Sequence, residues 1–174
     1  MIDVIDYAIY ITTGKRNRTP NLAGSNRARN ILISNVIADG VSKMSGIQIM
    51  GLPEQPIEGV RIENVRLVSN GGGMSEDAAI NPRGLAGGYP EPSKIGTLPA
   101  YGIYARHVRG LELANIRLAY QTYDARPAAS FADIQGLELD NVRPQEPGAV
   151  PAAVIGTNLS GLDIRDSPAF EPAK

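Results

Sequence analysis

A short motif recurs along the chain, and this repeat limits the possible folds more than any other feature of the sequence. Each copy places alternating apolar and polar residues on both sides of an asparagine, as in Gly59-Val-Arg-Ile-Glu-Asn-Val-Arg-Leu. Four copies carry the asparagine, at Asn35, Asn64, Asn115 and Asn141. In a degenerate fifth copy Asp166 takes its place. The last two steps between these positions are 26 and 25 residues. A period near 25 residues is typical of stacked repeat folds.

The alternation within each copy predicts β-strands, because successive side chains of a strand point to opposite faces. Val60 and Ile62 share one parity, whereas Val65 and Leu67 share the other. A straight strand cannot keep both pairs on one face. A corner at Asn64 can, because asparagine tolerates the left-handed backbone conformation. Equivalent asparagines would then stack, and we expect an inward-facing amide ladder.

A second set of short alternating segments lies between the copies. These segments begin at Ala8, Gly46, Gly102, Ala129 and Ala153. Each repeat therefore holds about three short strands and no helix-length amphipathic run. The pattern predicts an all-β protein, a right-handed parallel β-helix (a solenoid) of about five coils, formed by one domain over residues 1–174.

Two segments interrupt the period. Residues 12–27 are polar and contain the basic run Lys15-Arg16-Asn17-Arg18, and residues 69–98 contain Gly71-Gly72-Gly73 and Tyr89-Pro90-Glu91-Pro92. Loops of this length are uncommon and are often functional or irregular. We predict insertions at both places.

The charge balance excludes several classes of function. The chain has 17 Lys and Arg against 18 Asp and Glu, a net charge of -1, so it lacks the basic field that nucleic-acid or anionic-membrane binding requires. Cysteine is absent and the single histidine has no ligand-spaced neighbours, so we predict no metal site and no cofactor. The first residues lack the basic and apolar regions of a signal peptide, and the sequence does not assign a compartment.

Several motifs, taken in order, resemble a known family. They are the segments 51–65, 71–73, 89–92, 98–108 and 124–128. In this order they resemble the C-terminal half of bacterial family 28 glycoside hydrolases, the polygalacturonases and rhamnogalacturonan-type hydrolases. The resemblance implies a right-handed parallel β-helix, carbohydrate metabolism, pectic substrates and a periplasmic or secreted parent protein.

The family's catalytic motifs are absent from this chain. The family carries an Asn-Thr-Asp element, an Asp-Asp pair and a Gly-His-Gly histidine, whereas the only histidine here is His107 in Arg-His-Val. Inverting hydrolysis needs two carboxyl groups with a water between them, and the sequence selects no pair. The candidates are Glu54, Glu76, Asp77, Glu91, Asp124 and Asp133. We therefore name no catalytic residue, and enzymatic activity stays open.

Carbohydrate binding requires less than hydrolysis, because it needs no pair of carboxyl groups. Aromatic faces and arginine forks recognise sugars and uronate carboxylates, and histidine can contribute a polar ligand. The candidate substrate-binding residues are Tyr89, Tyr101, Tyr104, Arg106, His107 and Arg126. Each has a structural alternative: the tyrosines can pack at an edge, Arg106 can be solvated, His107 can be a structural hydrogen-bonding group, and Asp124 can pair locally with Arg126.

The two ends of the repeat differ. Apolar residues begin almost at Met1 and include Ile9 and Ile11, with no capping helix before them, whereas Pro168 and Phe170 can cover the last repeat. We expect a homo-oligomer, a dimer or a trimer, formed through the uncapped N-terminal coil. Three functions remain open: a catalytically incomplete pectin-hydrolase relative that retains carbohydrate binding, a self-assembling structural protein without ligand, and an active hydrolase.

Overall fold

The computed structural model describes residues 7–14, 27–82, 84, 91–145 and 154–171. The described residues form seven strands: β1 (Ile9–Thr12), β2 (Arg29–Val41), β3 (Ile47–Met50), β4 (Ile57–Gly71), β5 (Ile103–Thr122), β6 (Ala129–Pro144) and β7 (Val154–Arg165). Short 3₁₀ helices span Ser75–Ala79, Pro92–Lys94 and Pro168–Phe170. None of the helices in the described ranges has the length and apolarity needed to span a membrane.

All seven strands belong to one sheet, and every strand-to-strand pairing in it is parallel. The central strand β5 pairs with β3 at its start, with β4 along the rest of its length and with β6 on its other side. β1 extends the sheet beyond β3, β2 extends it beyond β4, and β7 extends it beyond β6.

The long strands bend where residues adopt left-handed backbone angles. These residues form three columns that cross the sheet in register. The first column holds the predicted corner residues, with φ between 48° and 60°. The second holds Asn30, Gly59, Gly110, Gly136 and Gly161, and the third holds His107, Asp133 and Asn158. Because each column bends neighbouring strands at the same place, the sheet curls without losing its pairing.

The predicted β-helix of about five coils is wrong, although the all-β class and the parallel pairing are confirmed. The structure is a single seven-stranded sheet that curls into a half-barrel. Segments that the sequence presented as separate short strands are continuous: the segment that begins at Gly102 and the repeat around Asn115 both belong to β5. The corners therefore bend one sheet and do not divide the chain into separate walls.

The predicted amide ladder is confirmed, but its inward orientation is wrong. Nδ2 of Asn64 donates to Oδ1 of Asn35 at 3.1 Å, Asn115 donates to Asn64 at 3.2 Å, and Asn141 donates to Asn115 at 2.9 Å. These bonds lie at the solvent-exposed side of the corner. The apolar neighbours on both sides of each corner turn inward instead.

The concave side of the sheet holds the apolar core. Val60, Ile62, Val65 and Leu67 of β4 are buried there on both sides of the corner, as the parity shift predicted. Phe170 is also part of this core, so the predicted C-terminal cover is confirmed. A smaller apolar cluster lies on the outer side of β1, β3 and β5 and consists of Met50, Ile95, Leu98 and Tyr104, with Tyr10 packed against it.

The predicted insertion at 69–98 contributes two of the short helices and, through Ile95 and Leu98, part of the outer cluster. Most of the predicted insertion at 12–27 lies outside the described residues.

Candidate functional site

Arg126 lies inside the protein, and each of its three guanidinium nitrogens donates a hydrogen bond within it. Its Nε and Nη2 donate to the two carboxylate oxygens of Asp124, at 2.9 and 2.7 Å. Its Nη1 donates to the backbone carbonyls of Lys43 and Leu98, at 2.7 and 3.1 Å. Both side chains are fully buried. The geometry therefore supports the local ion pair that the sequence left open, and every guanidinium nitrogen of Arg126 already donates to the protein.

The same ion pair holds the two ends of the 69–98 insertion. The backbone N–H of Gly73 donates to Asp124 Oδ2 at 3.0 Å, and Leu98 supplies the carbonyl at the other end. Burial by itself would raise the pKa of Asp124, but the hydrogen bonds and positive charge of Arg126 outweigh it and hold that pKa below its usual value. The Asp124–Arg126 pair therefore has a structural role, because it connects the Gly73 and Leu98 backbones at the two ends of the insertion.

Tyr101 and Tyr104 are also buried. The Tyr101 ring packs edge-on against Tyr120 with 5.2 Å between ring centroids, and its hydroxyl donates to the carbonyl of Gln145 at 3.3 Å. Tyr104 belongs to the outer apolar cluster with Met50 and Ile95. Burial raises the pKa of both phenols. Neither ring presents an exposed face on which a sugar could stack.

Arg106 and Gln48 form a buried polar region beside Tyr104. Nη1 of Arg106 donates to the carbonyl of Pro82 at 2.6 Å, whereas its Nε has no hydrogen-bond partner among the described residues. Gln48 pairs with Tyr104 across neighbouring strands and is fully buried, and neither amide atom has a partner in the described ranges. This region contains unused polar atoms but no exposed surface.

His107 occupies a corner of the sheet. Its Nδ1 lies 2.7 Å from Oδ2 of Asp133, and Nδ2 of Asn158 donates to Oδ1 of the same carboxylate at 2.7 Å. All three residues have positive φ angles and stand in register on β5, β6 and β7. His107 is therefore the first member of a second side-chain ladder, which supports its structural alternative.

The candidate carboxylates are distributed over different parts of the structure. Asp77 accepts from the backbone of Met74, Glu76 accepts from Ser75, and Glu91 pairs with Lys94. Glu54 is exposed. No group of three or more metal-ligating side chains occurs among the described residues. Tyr89 lies outside the described residues.

Three arginines that the sequence reasoning did not select have free binding capacity and stand in register. Arg66, Arg117 and Arg143 stand opposite one another on β4, β5 and β6, and we call them the arginine row. All three are exposed. Within the described residues the side chains of Arg66 and Arg117 make no hydrogen bond or ion pair. The side chain of Arg143 uses only its Nε, which donates to Asn141 at 3.1 Å.

The arginine row had a signal in the sequence. Each arginine follows a ladder asparagine by two residues, in Asn64-Val-Arg, Asn115-Ile-Arg and Asn141-Val-Arg. The first copy has Ile37 at the equivalent position. The row therefore runs beside the exposed amide ladder, and together they form a strip of cationic and amide groups across adjacent strands.

Neighbouring charges on the other side of the corner behave differently. Arg61 pairs with Glu63 and Glu112, and Arg165 pairs with Glu138. That face neutralises its own charges, whereas the arginine row does not. No family model, no curated protein and no solved structure matches this chain in the comparisons.

Proposed function

We propose that the protein binds a linear acidic polysaccharide of the polyuronate class along the arginine row. The observation that carries the proposal is the register of Arg66, Arg117 and Arg143, three exposed cations on adjacent parallel strands without a carboxylate partner among the described residues. The resemblance to pectin hydrolases found in the sequence supports the same ligand class. The proposal assigns binding and no catalysis, since the family's aspartate motifs are absent from the sequence.

The spacing of the row suits a polymer that carries one anionic group on each unit. Neighbouring strands lie about 4.7–4.9 Å apart, so the row presents one guanidinium at each step of that length. A pyranose ring is of similar length, and a polyuronate carries a carboxylate on every ring. The guanidinium fork binds a carboxylate through two parallel hydrogen bonds, which is the contact a uronate offers.

The row is also electrostatically unfavourable without a ligand. Like charges directly opposite each other on paired strands destabilise a sheet. A polyanion laid across the strands would remove that repulsion at all three positions. The exposed amides of the ladder beside the row could also hydrogen-bond to sugar hydroxyls. The net charge of -1 is consistent with a local strip and not with a general basic surface.

The first test measures binding by titration calorimetry with oligogalacturonates at low ionic strength. We expect binding that weakens as salt is added, because exposed ion pairs are screened. The triple variant Arg66→Gln/Arg117→Gln/Arg143→Gln should lose at least tenfold in affinity. The matched control is Arg61→Gln/Arg109→Gln/Arg165→Gln, in which Arg109 is an exposed arginine of β5 that lies outside the row. It changes the net charge equally and should bind like the wild type.

Three results would overturn the proposal. Equal affinity of the triple variant and its control would show that net charge, and not the row, attracts the ligand. No binding to oligogalacturonate at low salt would remove the function altogether. A neutral β-linked glucan serves as the ligand control, and dextran sulfate bound as tightly as polygalacturonate would reject the assignment to uronates.

A further inference from the structure

Strand β2 forms an open edge of the sheet. It pairs with β4 on one side, and no other strand among the described residues pairs with it. It is 13 residues long. An edge strand of this length presents a row of backbone donors and acceptors to any strand that approaches it, and proteins usually protect such edges with charges or prolines.

The middle of β2 carries exposed apolar side chains in place of such protection, and its charged residues, Arg29 and Asp39, lie near the two ends. Leu32 is 62% exposed and Ile37 is 81% exposed. At the same register positions the next strand, β4, carries Arg61 and Arg66. The inner face of β2 is apolar as well, with Ile31, Ile33, Val36 and Ala38 packed against the core. The middle of the edge strand is therefore apolar on its inner face and exposes two apolar side chains on its outer face.

The sequence of β2 is self-complementary in the antiparallel direction. One antiparallel register places Leu32 of one copy opposite Ile37 of the second. In this register the numbers of any two residues that face each other add up to 69. In the same register Ile33 meets Val36 of the second copy, and Ile31 meets Ala38. Outer residues then face outer residues and core residues face core residues. The twofold axis passes between Ser34 and Asn35, so the two bends at Asn35 lie one position apart, on opposite sides of the axis.

Neighbouring registers do not have this property. A slip of one residue places Ile33 opposite Ile37 or Leu32 opposite Val36, so a core side chain faces an outer one. The register also places Asn30 opposite Asp39 at each end of the strand, which pairs an amide donor with a carboxylate. Only this register joins the two exposed apolar side chains of β2.

We propose that two copies of this chain form a closed, twofold-symmetric dimer by antiparallel pairing of their β2 strands. The dimer buries Leu32 and Ile37 twice, continues the sheet across the interface and removes the open edge. Its closed symmetry avoids the open-ended stacking that a repeated edge-to-edge contact would produce. The inference goes beyond polysaccharide binding and does not depend on it.

The structure also changes which residues should be mutated. The sequence pointed to Ile9 and Ile11 of the N-terminal segment as interface positions, but Ile9 is buried in the core and pairs with Ile47 of β3. Replacing Ile9 would disturb folding. Leu32 and Ile37 are exposed, so charged residues at these positions change the interface and leave the core intact.

The test places charges at Leu32 and Ile37, which face each other across the twofold axis. The molecular mass in solution is measured by size-exclusion chromatography with light scattering. We expect the wild type at twice the monomer mass of 18.5 kDa. Leu32→Glu/Ile37→Glu places like charges opposite each other and should give a monomer. Leu32→Lys/Ile37→Glu places opposite charges together and should restore the dimer.

Circular dichroism would confirm that each variant keeps its strand content. Met74→Glu is the matched control, because Met74 is also 62% exposed but lies outside β2 and should leave the dimer intact. A wild-type monomer at micromolar concentration would overturn the inference. Equal dissociation of the Glu/Glu and Lys/Glu variants, with both folded, would also contradict the proposed register.

Discussion

Two sets of arginines in this protein show how the same side chain serves two purposes. Arg126 is fully buried, and Asp124 and two backbone carbonyls accept from its guanidinium nitrogens. The arginine row is exposed, and Arg66 and Arg117 have no partner among the described residues. The first arrangement stabilises the fold and cannot receive a ligand. The second contributes little to the fold and retains its donors.

The comparison gives a criterion for assigning an arginine from structure. The type of residue and its neighbours in sequence do not decide its role: Arg126 was a candidate binding residue and is buried, whereas Arg117 was not selected and is exposed. The number of guanidinium donors already used by the protein does decide it.

The largest expected effect is on the buried pair. Asp124→Asn removes the charge that compensates Arg126 and should lower the free energy of unfolding by about 3–5 kcal/mol, the usual cost of breaking a buried ion pair. Arg117→Gln is the surface control and should leave the unfolding midpoint nearly unchanged. Urea denaturation of both variants measures this. Similar unfolding curves for the two would contradict the division into structural and free arginines.

The same pair should also make stability depend on pH. The pKa of Asp124 is lower in the folded protein than its usual value, so its contribution is complete above the usual carboxyl pKa and is lost as pH falls from that value through the lowered pKa. The difference in free energy of unfolding between the wild type and Asp124→Asn should therefore decrease as pH falls from about 5 to about 2. A difference that stays constant over this range would show that Asp124 does not supply the contribution.

A smaller loss of stability is expected from a substitution at Gly73, which packs against the Asp124–Arg126 pair. A Cβ at Gly73 would collide with Nε of Arg126 and would lie 2.6 Å from Oδ1 of Asp124. Gly73→Ala should therefore destabilise by about 1–3 kcal/mol through overpacking and weaken the acid dependence. Gly72→Ala is the matched control: it meets no atom within 4 Å, but its φ of +81° strains any side chain. It should lose stability and keep the full pH dependence.

Much of the fold could be predicted from the repeat, and the candidate site could not. The strands, the left-handed asparagines and the amide ladder followed from local alternation and from the properties of asparagine. The single sheet did not, because the sequence does not show that pairing continues through a bend such as that at Asn115. The role of Arg126 depends on carbonyls of Lys43 and Leu98, which lie 83 and 28 residues away in sequence.

The most direct test of the account follows the Nε–Hε signals of individual arginines by NMR during titration with an oligogalacturonate. The signals of Arg66 and Arg117 should shift together and saturate, since their Nε–H groups have no acceptor among the described residues. The signal of Arg143 should change less, because its Nε already donates to Asn141 and only its Nη atoms are left for a uronate. The signal of Arg126 should stay in place, because Asp124 already holds its Nε–H. A shift of Arg126 or Arg106 with an unchanged arginine row would contradict the account.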